Sequence, residues 1–277
     1  MTGERVALIT GGTDGIGKAT ARRLLADGWT VAVVGRNGAR GEATVAELRA
    51  STGSERISAI TADLSLLADT RRAADEFAAA HDRLDLLLLN ANAIVQEHRV
   101  TTEGFEWHLA LVHLSRALLA RRLEPVLAAT PSAQVLTVLG MDTAPLDEAD
   151  LALERGDVRG RKALARAQWA TQMFTHAWNE QDVVPMSMYV PGLVRTKILA
   201  DEPLLQRVIV AVMIRVIGVT PERTADNVVA AADDVVAAGR RDAYYMIDKL
   251  GTNRLAVAEG EPERVWNLTD RLLVPYL

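Results

Sequence analysis

The sequence predicts an α/β fold: a single doubly wound domain in which a parallel sheet carries helices on both faces. Three observations predict it. Short, fully apolar runs alternate with helical patterns along most of the chain, and such runs suit strands buried on both faces. A glycine-rich turn joins the first run to the first helical pattern. No composition break, repeat or linker divides the 277 residues, so residues 1–277 read as one domain.

Taken in order, Val6-Ala7-Leu8-Ile9 reads as a buried strand, followed at once by Thr10-Gly11-Gly12-Thr13-Asp14-Gly15-Ile16-Gly17. A helical pattern over 18–27 stops at Gly28, a residue suited to a left-handed C-cap. Residues 30–34 form a second apolar run, ending at Gly35-Arg36. The alternation predicts helices near 41–50 and 68–81 and strands over 57–61 and 84–89. A helix around 105–128 then leads to a strand over 134–139, and a helix near 163–180 to a strand over 183–189. Two segments interrupt this order. Residues 144–161, rich in Asp, Glu, Arg and Gly, read as a polar surface insertion. The segment around 197–220 is lid-like: residues 204–219 are very apolar apart from Arg207 and Arg215. They suit a helix over a pocket, or one lying on a membrane surface or a partner.

Composition narrows the function. Hydrophobic residues make up 49% of the chain, too many for a disordered one, and no apolar run nears the roughly 20 residues of a spanning helix. Without Cys there is no disulfide framework or thiolate metal site, and no metal is expected. Net charge −5 and a pI near 5.6 disfavour a nucleic-acid partner. The polar start lacks a signal-peptide core, which suits a cytoplasmic protein. Of 31 basic residues only four are Lys (Lys18, Lys162, Lys197, Lys249). With abundant Ala, this suggests a GC-rich, actinobacterial genome.

A glycine turn between first strand and first helix brings backbone N–H groups and the positive helix end against a pyrophosphate. Gly11, Gly15 and Gly17 supply it here, which makes the domain Rossmann-type. An acidic residue after the second strand would accept a ribose 2′-hydroxyl. Arg36 stands there instead and suits a 2′-phosphate, so NADP(H) is expected over NAD(H).

The string Thr10-Gly11-x-x-x-Gly15-Ile16-Gly17 resembles the fingerprint of the short-chain dehydrogenase/reductase superfamily. Asp63-Leu64 matches its adenine contact, Asn90-Ala91 its NAG motif, and Pro191-Gly192-Leu193-Val194-Arg195-Thr196 the segment at the nicotinamide end. Gly104-Phe105-Glu106, His113-Leu114, Tyr244-Tyr245 and Arg264-Val265-Trp266 are similar to the retinol-dehydrogenase-like branch. The resemblance implies that Gly11, Thr13, Gly15, Ile16, Gly17, Arg36, Asp63, Leu64, Asn90, Pro191, Gly192 and Thr196 hold the cofactor.

It also implies a hydride-transfer set of Asn, Ser, Tyr and Lys. Tyr protonates the carbonyl oxygen, with its pKa lowered by Lys, while Ser polarises the carbonyl and Asn supports a relay water. By motif alignment Val112 stands at the Asn position, Gly140 at Ser, Leu164 at Tyr and Gln168 at Lys. Asn92 replaces the Gly of NAG. Tyr245-x-x-x-Lys249 matches the Tyr–Lys string but falls in a late strand or loop, where the two share no helical face.

With the cofactor motifs kept and this set replaced, the sequence leads us to expect a non-redox enzyme with NADP(H) as a structural element. It would cyclise, isomerise, eliminate or rearrange a hydrophobic small molecule in bacterial secondary metabolism. The alternatives are an NADPH-dependent oxidoreductase with an atypical site and an NADP(H)-binding pseudoenzyme. Candidate catalytic residues are Asp142 (a base, or a turn cap), Gln168 (a hydrogen bond to the nicotinamide ribose) and Tyr189 (a proton donor, or core). Thr143 is a weaker donor, His113 reads as structural, and Arg159 and Arg161 as solvated or as contacts for an acidic substrate. Family analogy suggests a homo-oligomer formed through the helices of His113 and Trp169.

Overall fold

Every side chain of Val6–Thr10 (β1) is buried, because helices cover both faces of the sheet that it enters. The computed structural model describes residues 4–140, 143–150, 158–192, 218–238, 243–246, 249–252 and 257–277. After β1 come α1 (Gly15–Ala26), β2 (Thr30–Gly35), α2 (Gly38–Thr52), β3 (Ile57–Thr61), α3 (Leu67–Ala80) and β4 (Leu86–Leu89). A π-helical turn, Leu109–Leu114, runs into α4 (Ser115–Ala129), followed by β5 (Gln134–Val138), α5 (Arg161–Glu180) and β6 (Met186–Val190). The remaining elements are α6 (Pro221–Ala238), β7 (Ala243–Met246), β8 (Lys249–Thr252) and α7 (Glu261–Leu273).

Local chemistry sets several of these boundaries. The Asp14 carboxylate accepts from Gly15 N at 2.9 Å and opens α1, and Asn37 Oδ1 accepts from Arg40 N at 2.9 Å and opens α2. Gly53, at φ +69°, closes α2 in the left-handed region. Pro221 begins α6, where its missing N–H has no helical partner to lose.

The strand order is β3-β2-β1-β4-β5-β6-β7-β8, parallel through β7, with β8 antiparallel at the edge. Alternate side chains build two cores. Leu8, Val34, Leu87 and Val135 face α3, α4, α5 and α7, whereas Ile9, Val33, Leu88, Leu136 and Tyr189 face α1, α2 and α6. The predicted doubly wound fold is therefore present.

Several differences have physical causes. The predicted helix over 105–128 is present over 107–129, with a π-helical stretch at Leu109–Leu114 whose Val112 carbonyl accepts from Thr171 of α5. The supposed surface insertion is partly core among its described residues, since Leu146 is buried and Glu148 pairs with Arg264 of α7 at 2.8 Å. Tyr245 and Lys249 lie on two strands of one hairpin. Asp142, Thr196 and most of the lid-like segment lie outside the described residues.

Helix α7 lies along α5. Trp266 stacks on Phe174 with ring centroids 5.1 Å apart, and His113 Nε2 is 2.8 Å from Thr269 Oγ1. The chain itself packs α7 on this flank, where family analogy suggested a second copy.

Candidate active site

In an open parallel sheet, ligands enter where neighbouring strands depart in opposite directions. Here that place is the gap beyond the ends of β1 and β4. The Thr10 hydroxyl sits between them. It accepts from Asn90 N at 2.8 Å and Ala91 N at 3.0 Å, and donates to Leu88 O at 3.3 Å. Asn90 completes the junction through Nδ2, donating to Thr10 O at 3.1 Å and Gly11 O at 3.4 Å. Asn90 thus fastens the glycine turn to the sheet.

The turn itself leaves no room for side chains. A Cβ on Gly17 would lie 2.4 Å from Gly11 O, and Gly11 and Gly15 have φ of +66° and +52°. This shape, at the start of α1, presents backbone N–H groups to an anion. Thr13 packs against Gly35, where a Cβ would come within 2.7 Å of its Cγ2, and half-buried Ile16 anchors α1 on the sheet.

Arg36 emerges at the end of β2, exposed, and its guanidinium makes no bond with the described residues. Nearby Arg40 is paired with Asp14. Asp63 Oδ1 accepts from Ser65 N at 3.0 Å and Ser65 Oγ at 2.7 Å. Leu64 is buried in the core, so it offers the crevice only its backbone. Half-buried Pro191 and Gly192 follow β6, with Gly192 at φ +68°. The donor set fits a dinucleotide: a glycine turn for the pyrophosphate, a free arginine, and a turn-held carboxylate.

Two of the positions aligned with the hydride-transfer set, 140 and 168, meet at the end of β5. Gly140 follows β5. A Cβ there would stand 2.8 Å from Gln168 Oε1 and 3.1 Å from its Nε2. Gln168, on α5, is 2% exposed, and its Oε1 has no hydrogen-bond partner among the described residues. One turn earlier Leu164 is packed in the core. Val112 is buried in the π-turn, and its carbonyl accepts from Thr171 Oγ1 of α5 at 2.9 Å. Tyr189 is 1% exposed and belongs to the core on the α6 side. The structure does not bring it together with Gln168. Thr143 is half-buried, Arg159 and Arg161 are exposed, and Lys18 is paired on the surface with Glu47 at 3.0 Å.

Sequence reading missed Arg116. Four residues after Val112, it is 3% exposed and extends beneath the strand ends. It donates to Thr137 Oγ1 at 2.6 Å, Val138 O at 2.8 Å and Ala91 O at 2.9 Å. Burial lowers its pKa to about 9, so it remains a cation at neutral pH. Burial and this cation together hold His113 at a pKa of about 3, hence neutral. The signal was a lone Arg on an otherwise apolar helical face. A second buried pair lies nearby: Val95 N donates to His108 Nε2 at 3.1 Å, and His108 Nδ1 is 2.7 Å from Glu106 Oε1. It fixes the segment that follows Asn90.

A short-chain dehydrogenase family model matches residues 5–141. Polyprenol dehydrogenase of Mus musculus is 32% identical over 281 residues, covering 95% of this chain and 82% of that protein. Retinol dehydrogenase 12 of Homo sapiens is 30% identical over 207 residues, covering 73% of this chain and 65% of that protein. Among solved structures, an alcohol dehydrogenase of the archaeon Thermococcus sibiricus complexed with 5-hydroxy-NADP superposes with TM-score 0.64. It is 20% identical and covers 88% of this chain and 95% of that one. These relatives are named dehydrogenases, which overturns the expectation of a non-redox cyclase, isomerase or lyase. Full-length similarity to a named dehydrogenase, together with the matched family model, shows that the chain belongs to the short-chain dehydrogenase/reductase superfamily.

Proposed function

We propose that the protein is an NADP(H)-dependent oxidoreductase that interconverts a hydrophobic alcohol and its carbonyl form, with an atypical hydride-transfer site. The observation that carries this reading is the crevice, where Gly11 and Gly17 have no space for a Cβ and Arg36, at the neighbouring strand end, is exposed with no partner among the described residues. Gly11, Gly15 and Gly17 receive the pyrophosphate, Arg36 the 2′-phosphate and Asp63 the adenine edge. Thr13, Ile16, Asn90, Pro191, Gly192 and Thr196 complete that set. When bound, the cofactor supplies or accepts the hydride.

Val112, Gly140, Leu164 and Gln168 then stand for the family's Asn, Ser, Tyr and Lys. Leu164 carries no acid, so the proton on the substrate oxygen comes from water. The substrate class is supported by two relatives, named for polyprenol and retinol. A long isoprenoid alcohol fits both.

The test is incubation with NADPH and all-trans-retinaldehyde or a short polyprenal, following cofactor absorbance and product mass together. Loss of one NADPH for each two-hydrogen gain supports the reading. Constant NADPH with every aldehyde overturns it.

A further inference from the structure

Gly140 and Gln168 occupy one volume between them. An ideal Cβ on Gly140 falls 2.8 Å from Gln168 Oε1, 3.1 Å from Nε2 and 3.3 Å from Cδ. Real Cβ atoms essentially never come within 3.0 Å of a neighbour, so with a side chain at 140 the carboxamide, the far end of a flexible side chain, would have to leave this position. Glycine at 140 leaves the space that the carboxamide fills from α5. By the motif alignment this is the space of the family's serine hydroxyl. The Gln168 Oε1 is also buried without a partner among the described residues, in a side chain 2% exposed. An orphaned acceptor of this kind costs about 1–3 kcal/mol unless a ligand group satisfies it.

We propose that the Gln168 carboxamide hydrogen-bonds the substrate oxygen, in the place of the hydroxyl that the family carries at residue 140. The inference rests on the redox reading above. A primary amide has two N–H donors and one acceptor. Its acceptor takes the hydroxyl hydrogen of an alcohol. Turning the terminal amide by half a revolution, about a broad sp³–sp² torsion, offers N–H to a carbonyl. During reduction a hydride adds to the carbonyl carbon, the π pair moves to oxygen, and Nε2–H holds the charge that develops. The oxygen then takes a proton from water, leaving hydroxide to the buffer, while the dihydronicotinamide is oxidised. Gln168 neither gains nor loses a proton. This role differs from a hydrogen bond to the nicotinamide ribose, which would act on cofactor affinity.

The experiment compares wild type, Gln168→Ala, and the double variant Gln168→Ala with Gly140→Ser. Each is assayed with NADPH and all-trans-retinaldehyde, and NADPH Kd is measured separately by fluorescence. Removing an oxyanion donor costs about 10²–10³-fold in kcat, and Gln168→Ala is expected to show that loss with NADPH Kd unchanged within about twofold. Serine in the vacated space is expected to restore at least about tenfold of it. A parallel loss of NADPH affinity, or no recovery in the double variant, overturns the proposal.

The carboxamide ¹H–¹⁵N signal of Gln168, assigned by its disappearance in Gln168→Ala, gives a readout independent of turnover. It is expected to move when all-trans-retinol joins the NADP⁺ complex. Movement with NADP⁺ alone, or with neither, counts against the proposal. If wild type oxidises no NADPH, the redox reading fails, and this signal still decides the carboxamide's role.

Discussion

The Arg116 guanidinium donates to the carbonyl of Val138 at 2.8 Å, joining helix α4 to the last residue of β5. Its other bonds reach Thr137 Oγ1 and Ala91 O, and no carboxylate pairs with it among the described residues. Three hydrogen bonds from a charged donor offset the cost of burying the cation. Arg116→Ala leaves two main-chain carbonyls without this donor and opens a cavity. A loss of about 2–4 kcal/mol is expected from the urea midpoint, and an unchanged midpoint would show that the bonds do no more than cancel desolvation.

His113 makes stability depend on pH. Burial, followed by the Arg116 charge, lowers its pKa from an ordinary value near 6.5 to about 3 in the fold. The unfolded chain therefore binds a proton below pH 6.5 that the folded chain refuses. Stability from this residue is complete above 6.5 and falls as pH drops toward 3, by at most about 1.4 kcal/mol per unit. His113→Gln keeps a partner for Thr269 and removes the titration. Urea midpoints from pH 7 to 4 should fall less steeply in the variant, and parallel curves would refute this.

Arg36→Ala should weaken NADPH binding at least about tenfold, the loss of one or two charge-assisted bonds, and leave NADH binding nearly unchanged. Isothermal titration with both cofactors checks it. Equal losses would place Arg36 outside the 2′-phosphate site.

The Trp266 ring stacks on Phe174 at 13° between planes, and the Arg121 guanidinium lies 4.6 Å from its centroid. Arg121 also donates to Asp270 Oδ1 at 2.8 Å. Trp266→Ala should cost about 2–4 kcal/mol, because the ring is only partly buried. Because α7 already fills this flank, wild type should sediment as a monomer at micromolar concentration. A dimer would show that another surface associates.

Strand periodicity and glycine punctuation made most of the sheet legible. β1, β2 and β4 are near-continuous apolar runs, and Gly28 and Gly53 mark two helix ends through their backbone conformation. The nucleotide crevice was legible because its parts are local in the chain: a turn, a strand end, an arginine. The hairpin of β7 and β8 was missed, since four-residue strands give periodicity little to act on. The relation of Gly140 to Gln168 joins residues 28 positions apart, each ordinary in its own neighbourhood. Arg116 stands in sequence as a lone Arg on an otherwise apolar helical face, but its bonds to Thr137, Val138 and Ala91 are visible only in the packed structure. The expectation of a non-redox enzyme failed because it rested on four aligned positions, whereas the relatives named as dehydrogenases match over most of the chain.

Thr10 is the last residue of a strand that is otherwise apolar, and valine would match it in shape. Its hydroxyl holds two N–H groups and one carbonyl just where β1 and β4 stop pairing. That one oxygen stands in for the missing rung of the ladder. The width of the slot is therefore set by the protein's own bonds, and a dinucleotide entering it would have no strand end to order. Thr10→Val would keep the volume and lose the spacer, which makes this position a gauge of how much affinity comes from a slot held open in advance.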